Sequence, residues 1–232
     1  MKYTYLLINL FTIIVPFLFS FHPKLNFYKT WRAFFPAVTI SGLLFILWDV
    51  YFTGLGVWGF NPDYLVGIYI SNLPLEEILF FFCIPYACVF TYHCLDLFIN
   101  RAIGDKTEAI LTPVLILIFL IAAAFNYDKI YPLVTFIILP VSMILTRYLF
   151  KQRWISKFYV IYAVLLFPFL IVNGLLTGTG LKAPVVWYNE QEIIGLRIMT
   201  IPVEDVFYGM ALILINLQIY LYLKRPAKKI SG

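Results

Sequence analysis

Charge is scarce in this sequence. Only 12% of its 232 residues are Asp, Glu, Lys or Arg, while 62% are hydrophobic. A soluble domain of that length cannot hide so much apolar surface, so the composition excludes a water-soluble globule and points to membrane-crossing helices. Cysteine is rare too. Cys83, Cys88 and Cys94 fall in one apolar stretch without metal-ligand spacing and read as small core residues. There is no Gly-x-Gly-x-x-Gly fingerprint and no phosphate-cradling loop, since Thr177-Gly178-Thr179-Gly180 is too short to serve as one. No cofactor and no metal are therefore expected. The net charge of +5 is not a nucleic-acid signal, because the basic residues stand in small groups between apolar runs.

What is abundant is long apolar runs. Seven stretches, near 3–20, 34–53, 74–97, 108–126, 130–149, 157–177 and 201–223, are each about long enough to cross a bilayer. The first begins just after Lys2 and lacks a small-residue cleavage site, so it reads as a retained span. Pro16, Pro85, Pro140 and Pro168 fall inside these runs, where membrane helices tolerate and kink at proline. The expected fold is an all-α integral membrane protein. Of 17 Lys and Arg residues, only Lys2, Lys129, Lys182 and Arg197 fall on the side of the N-terminus; the other 13 fall opposite. By the positive-inside rule the N-terminus faces out and the C-terminus faces the cytoplasm, in a multi-pass protein of the cytoplasmic membrane.

One motif occurs twice. Pro74-Leu75-Glu76-Glu77 opens the third run and Pro202-Val203-Glu204-Asp205 opens the seventh. A shift of 128 also carries Asn61 onto Asn189, Gly67 onto Gly195 and Ile70 onto Ile198. Upstream the shift is 124, carrying Thr53-Gly54-Leu55-Gly56 onto Thr177-Gly178-Thr179-Gly180 and Asp49 onto Asn173. The chain thus divides into a repeat over 1–100 (spans one to three), a connecting span over 101–129, and a second repeat over 130–232 (spans five to seven). One joining span makes the repeats parallel, related by an axis along the membrane normal. That geometry brings Glu76 and Glu204 to one depth across a central cleft.

Proline followed by acids is an ordinary helix start. Two matched copies at membrane depth call for more, because acids there are costly and mark functional sites. Burial in an apolar cleft and a second carboxylate nearby both favour the protonated form. One acid of each pair then serves as a general acid, and its ionised neighbour stabilises positive charge or accepts a proton. Trp48, Tyr51, Phe52, Trp58, Phe60 and Phe80 to Phe82 cluster around the first pair, and Trp187, Tyr188, Phe207 and Tyr208 around the second. Aromatic faces stabilise cations where water is excluded. Phe80 and Tyr208 stand out, each one helical turn from an acid. Acid and aromatic walls in a dry, lipid-fed cleft suit protonation of an alkene and containment of the carbocation.

These residues resemble the membrane-integral lycopene cyclases of the heterodimeric or fused c/d type. The resemblance rests on Trp48-Asp49, Asn61 and the paired motifs at 74–77 and 202–205, and covers essentially the whole chain with both halves in one polypeptide. It implies redox-neutral closure of the acyclic ψ end groups of lycopene to β-ionone rings in carotenoid biosynthesis. Its partners would be a long hydrophobic polyene and the lipid bilayer. Mapped by motif, Glu76 and Glu204 would donate protons, Glu77 and Asp205 would stabilise the cation or accept a proton, and Asp49 and Asn173 would orient the donors. Asn61, Asn173, Asn189, Phe80, Trp48 and Tyr208 would face the substrate. The second repeat has Asn173 for Asp49 and Ile213 for Pro85, so the halves need not be equivalent.

The rival reading is a small proton-coupled transporter, which would also use acids at a repeat interface. A prenyltransferase would need Asp-rich magnesium motifs, and a retinal protein a lysine in the seventh span; the sequence has neither. A non-catalytic subunit with a degenerate site is a further alternative. His93, about 25 Å along its helix from Glu76, reads as structural. Arg197 is expected to pair with Glu204 or Glu192, or to be solvated.

Overall fold

The structure, a computed structural model, describes residues 2–98 and 102–224. Four basic residues counted above, Arg101, Arg225, Lys228 and Lys229, lie outside the described residues. Seven helices fall on the seven apolar runs: α1 (Thr4–Phe19), α2 (Trp31–Leu55), α3 (Leu75–Phe98), α4 (Asp105–Phe125), α5 (Ile130–Ile144, prolonged by a π-helical turn over Leu145–Leu149), α6 (Ile155–Leu176) and α7 (Val203–Lys224). Among the described residues, six helices are long and apolar enough to cross a membrane. The exception is α1, whose 16 residues give about 24 Å of helix.

The all-helical expectation omitted six short strands: β1 (Trp58–Phe60), β2 (Tyr69–Ile70), β3 (Leu73–Pro74), β4 (Val186–Tyr188), β5 (Arg197–Ile198) and β6 (Ile201–Pro202). They form three two-stranded ribbons in the connections before α3 and α7. Strands of two or three residues carry no readable alternation. The β2–β3 and β5–β6 hairpins turn through Ser71 (φ 58°) and Met199 (φ 59°), and Gly67 and Gly195 both take positive φ. The two connections therefore fold alike.

The β1–β4 ribbon joins the repeats. Its antiparallel register pairs Trp58 with Tyr188, Gly59 with Trp187 and Phe60 with Val186. A shift of 128 exchanges the first pair with the third and leaves the middle pair in place. A local two-fold axis thus passes through Gly59 and Trp187. The flanking bonds obey it as well: Asn61 N donates to Val185 O at 2.8 Å, and Asn189 N to Val57 O at 2.8 Å.

The main apolar core runs between α2, α3 and α7, with Phe34, Phe81, Tyr86 and Tyr220 buried in it. A smaller cluster, including Tyr5, Phe52, Trp58, Tyr131, Val185 and Ile193, fills the end beneath the β1–β4 ribbon. Helix α4, the joining span, lies on α5. There Phe119 stacks on Phe136 at 5.9 Å, and Glu108 takes the Arg147 Nε hydrogen at 2.7 and 2.8 Å on its two oxygens.

The axis leaves no room for a side chain. A Cβ at Gly59 would sit 2.6 Å from Trp187 Cε2, and closer still to Cζ2. Gly59→Ala is expected to cost roughly 1–3 kcal/mol through overpacking, read as a lower melting temperature of the detergent-solubilised protein. Adding Trp187→Ala should restore most of the loss; a single variant melting like the parent would refute the tight crossing.

Candidate active site

Both acidic motifs lie where a hairpin hands the chain to a helix. Leu75 N donates to Ile68 O and Val203 N to Leu196 O, so α3 and α7 start at the same point of their repeats. The two acids of each motif are consecutive and therefore about 100° apart around the helix. They serve different neighbours.

Glu76 Oε1 accepts from Val66 N at 2.6 Å, and Glu204 Oε1 from Ile194 N at 2.5 Å. Both residues are fully buried. Each ties the preceding connection to its helix, and neither lines the cavity that Glu77 and Asp205 share. This departs from the donor positions expected of them. Adjacent helical residues cannot share one face, and the cleft takes Glu77 and Asp205 instead.

Glu77 and Asp205 line a cavity of about 480 Å³, together with Asp49 and Asn173. Tyr5 on α1 donates to Glu77 Oε2 at 2.5 Å, and Tyr131 on α5 donates to Asp205 Oδ1 at 2.6 Å. Asn173 Nδ2 donates to Asp205 Oδ2 at 2.7 Å. In the first repeat Asp49 occupies the place of Asn173 and reaches the Glu77 carboxyl. Asp49 Oδ1 already accepts from Trp58 Nε1 (2.5 Å) and Thr53 Oγ1 (3.2 Å), whereas its buried Oδ2 meets no N–H or O–H among the described residues. Two carboxyls bond only when one carries a proton. The Asp49–Glu77 pair thus has a place for one proton that Asn173–Asp205 replaces with a fixed amide hydrogen.

Asp205 receives a third bond, from the Tyr188 hydroxyl at 2.9 Å. Tyr188 lies on β4, outside the spanning helices. Burial first, and then the adjacent Asp205, push its phenol well above the usual tyrosine range, so it stays a neutral donor.

Phe80 and Tyr208 line the cavity, with Trp58, Phe60 and Tyr188 near the acids and mostly aliphatic side chains beyond. From Glu77 to Thr91, both on its wall, α3 rises about 21 Å. Phe11 on α1 and Ile171 on α6 belong to the wall and are 72% and 53% exposed. The cavity is therefore open along its side, between α1 and α6.

Other expected residues lie elsewhere. Asn61 and Asn189 accept from Asp63 N and Gln191 N, capping equivalent turns away from this cavity. Trp48 packs against Tyr208, ring centroids 4.9 Å apart, without lining the cavity. Arg197 pairs with Glu190 at 2.5 Å and donates to Thr200 O, not to Glu204 or Glu192, because the β5–β6 hairpin turns it outward. His93 Nε2 bonds Leu25 O at 2.8 Å. Sequence reasoning missed Tyr5 and Tyr131. Their common place at the first turn of spans one and five was the available signal. Among the described residues no His, Cys, Asp and Glu group is arranged to hold a metal ion.

The family model described as lycopene cyclase matches residues 2–95 and 128–223, the two stretches on either side of α4. Over 55 residues, 24% of this chain, the sequence is 36% identical to the bifunctional lycopene cyclase/phytoene synthase of Aspergillus niger. The match spans 10% of that fungal protein's length. No solved structure matches the chain. With its two matched stretches covering most of its length, the chain belongs to the lycopene cyclase family.

Proposed function

We propose that this chain is a redox-neutral, membrane-embedded isomerase that closes an acyclic ψ end group of lycopene to a β-ionone ring. The observation that carries this reading is the exchange of Asp49 for Asn173 at matched positions. The first repeat holds a transferable proton where the second holds an amide.

In this mechanism the Asp49–Glu77 pair gives its proton to the terminal double bond, leaving a tertiary cation. The electrons of the next double bond form the new carbon–carbon bond and close a six-membered ring. Loss of an adjacent ring proton to Asp205 makes the ring double bond. One proton enters and one leaves, so the product is an isomer. Tyr131, Tyr188 and Asn173 solvate the Asp205 carboxylate in place of water. The faces of Phe80, Tyr208 and Trp58 shelter the cation, and exclusion of water prevents its capture. Glu77 and Asp205 line the same cavity. Between turnovers Asp205 releases its proton to solvent and the Asp49–Glu77 pair takes one up from it, so each closure starts with a solvent proton.

The same reading makes residues 1–100 and 130–232 the two cyclase halves and 101–129 their connector. It also places the acid end toward the outer leaflet of the cytoplasmic membrane, with the N-terminus outside. The transporter alternative has less support, because the cavity is open along its side and the family is a cyclase family.

Expression in a lycopene-making bacterium should convert lycopene to cyclic carotenoids. Glu77→Gln and Asp49→Asn should each lower ring formation ~100-fold or more, the range of a lost general acid. Glu76→Gln and Glu204→Gln should keep most of it, since the glutamine carbonyl still accepts from Val66 or Ile194. Unchanged lycopene in cells with abundant protein would sink the cyclase reading. Full activity in Glu77→Gln would sink the acid assignment.

Solvent isotope supplies a second check. Membranes carrying the protein in D2O should yield rings with one deuterium each, at the carbon protonated first. Rings without deuterium would rule out proton-initiated closure.

A further inference from the structure

A duplicated chain should offer two equivalent grooves, one on each side of the two-fold axis. The cavity described above occupies one side, between α1 and α3 of the first repeat and α6 and α7 of the second. Its twin would lie between α5 and α7 on one side and α2 and α3 on the other.

That twin position is filled by protein. Helix α2 packs along α7 far more extensively than α6 packs along α3. The Trp48 and Phe45 rings stand 4.9 and 5.2 Å from the Tyr208 ring, and Asn216 Nδ2 donates to Ser41 Oγ at 2.7 Å. Gly42 lies against the Phe81 carbonyl, which a Cβ would approach to 3.6 Å. A shift of 124 carries Ser41 onto Leu165, Gly42 onto Leu166 and Trp48 onto Val172. Small residues at 41 and 42 let α2 close on the core, and the Trp48 indole takes up the remaining space. On the other side two leucines hold α6 off, and Val172 sits on the cavity wall beside Asn173.

We propose that Val172 is a specificity-determining residue: its small side chain keeps one groove open for a single polyene end group, while Trp48 fills the twin groove, so each chain binds one end at a time. This rests on the cyclase reading for the identity of the polyene, but the asymmetry of the grooves does not depend on the chemistry. The single groove fits a linear, apolar guest, with acids at its closed end and lipid at its side opening.

The test uses the full chain in lipid nanodiscs, titrated with lycopene and followed by visible absorbance, beside pigment analysis in lycopene-making cells. One lycopene should bind per chain. Val172→Trp and the milder Val172→Phe should weaken binding and ring formation at least tenfold. Leu47→Trp, which adds an indole on the outer surface of α2, should leave both unchanged. Cys88 lines the groove and gives a readout independent of turnover. In a Cys83→Ala/Cys94→Ala background, lycopene should slow its alkylation by a lipophilic maleimide, and Val172→Phe should remove that protection. Two lycopenes per chain, or wild-type binding and Cys88 protection in a folded Val172→Phe variant, would overturn the proposal. Stoichiometric binding lost in the Val172 variants, with no ring formed by any protein, would uphold the groove and reject the acid chemistry.

Discussion

A carboxyl group taken out of water must find its hydrogen bonds within the protein. This chain buries Asp49, Glu76, Glu77, Glu204 and Asp205 together at one end of the bundle. The rest of the structure answers most of that demand, leaving one oxygen each of Asp49, Glu76 and Glu204 without a donor among the described residues. Backbone hydrogens from the two connections go to Glu76 and Glu204, while hydroxyls from α1 and α5 go to Glu77 and Asp205. The β1–β4 ribbon brings in Trp58 and Tyr188, one donor for each side. Glu77 and Asp205 are thereby tied to helices more than 70 residues away, whereas Asp49, Glu76 and Glu204 each fix the connection next to their own helix.

Duplication explains why the arrangement holds together, and divergence explains what it can do. The bonds of the connections recur at a shift of 128 with nearly equal lengths, which marks them as scaffold. The cavity side does not recur. Asp49 faces Asn173, Phe60 faces Tyr188 and Phe80 faces Tyr208 across the axis. Each exchange alters a proton or a donor while keeping the shape of the side chain. A symmetric site would set like against like, with no direction for a proton to move. On the proposed cyclase reading these exchanges give it one.

The helices, their order and the repeat were legible in the sequence because apolar length and a four-residue motif survive without any tertiary information. Which acid of each pair faces the cavity was not legible. A Pro-x-Glu-Glu motif fixes where a helix starts but not its rotation, and the rotation is set by where α1 and α6 pack. Tyr5 and Tyr131 escaped notice for a related reason. Each is one tyrosine among 17 in an aromatic-rich chain, and its place in the first turn of its span gains meaning only when the fold sets it beside a carboxylate. The ribbons were hidden by their brevity, although one of them holds the two-fold axis.

On the proposed cyclase reading, the opening between α1 and α6 would constrain the order of events. Lycopene has two like ends, and an end group seated beside Glu77 would direct the remaining polyene along α3 and out past Phe11 and Ile171. The second end would then meet only a filled groove across the axis. A doubly cyclised product would therefore require the half-finished molecule to withdraw into lipid, turn and re-enter. The balance between mono- and bicyclic product would then be set by competition at the opening, between fresh lycopene and the returning intermediate, rather than by a second set of catalytic groups. With one end of either guest seated beside the acids, the walls far from them, around Ala87, Thr91 and Tyr162, would be where a ring-bearing tail is told from an open one.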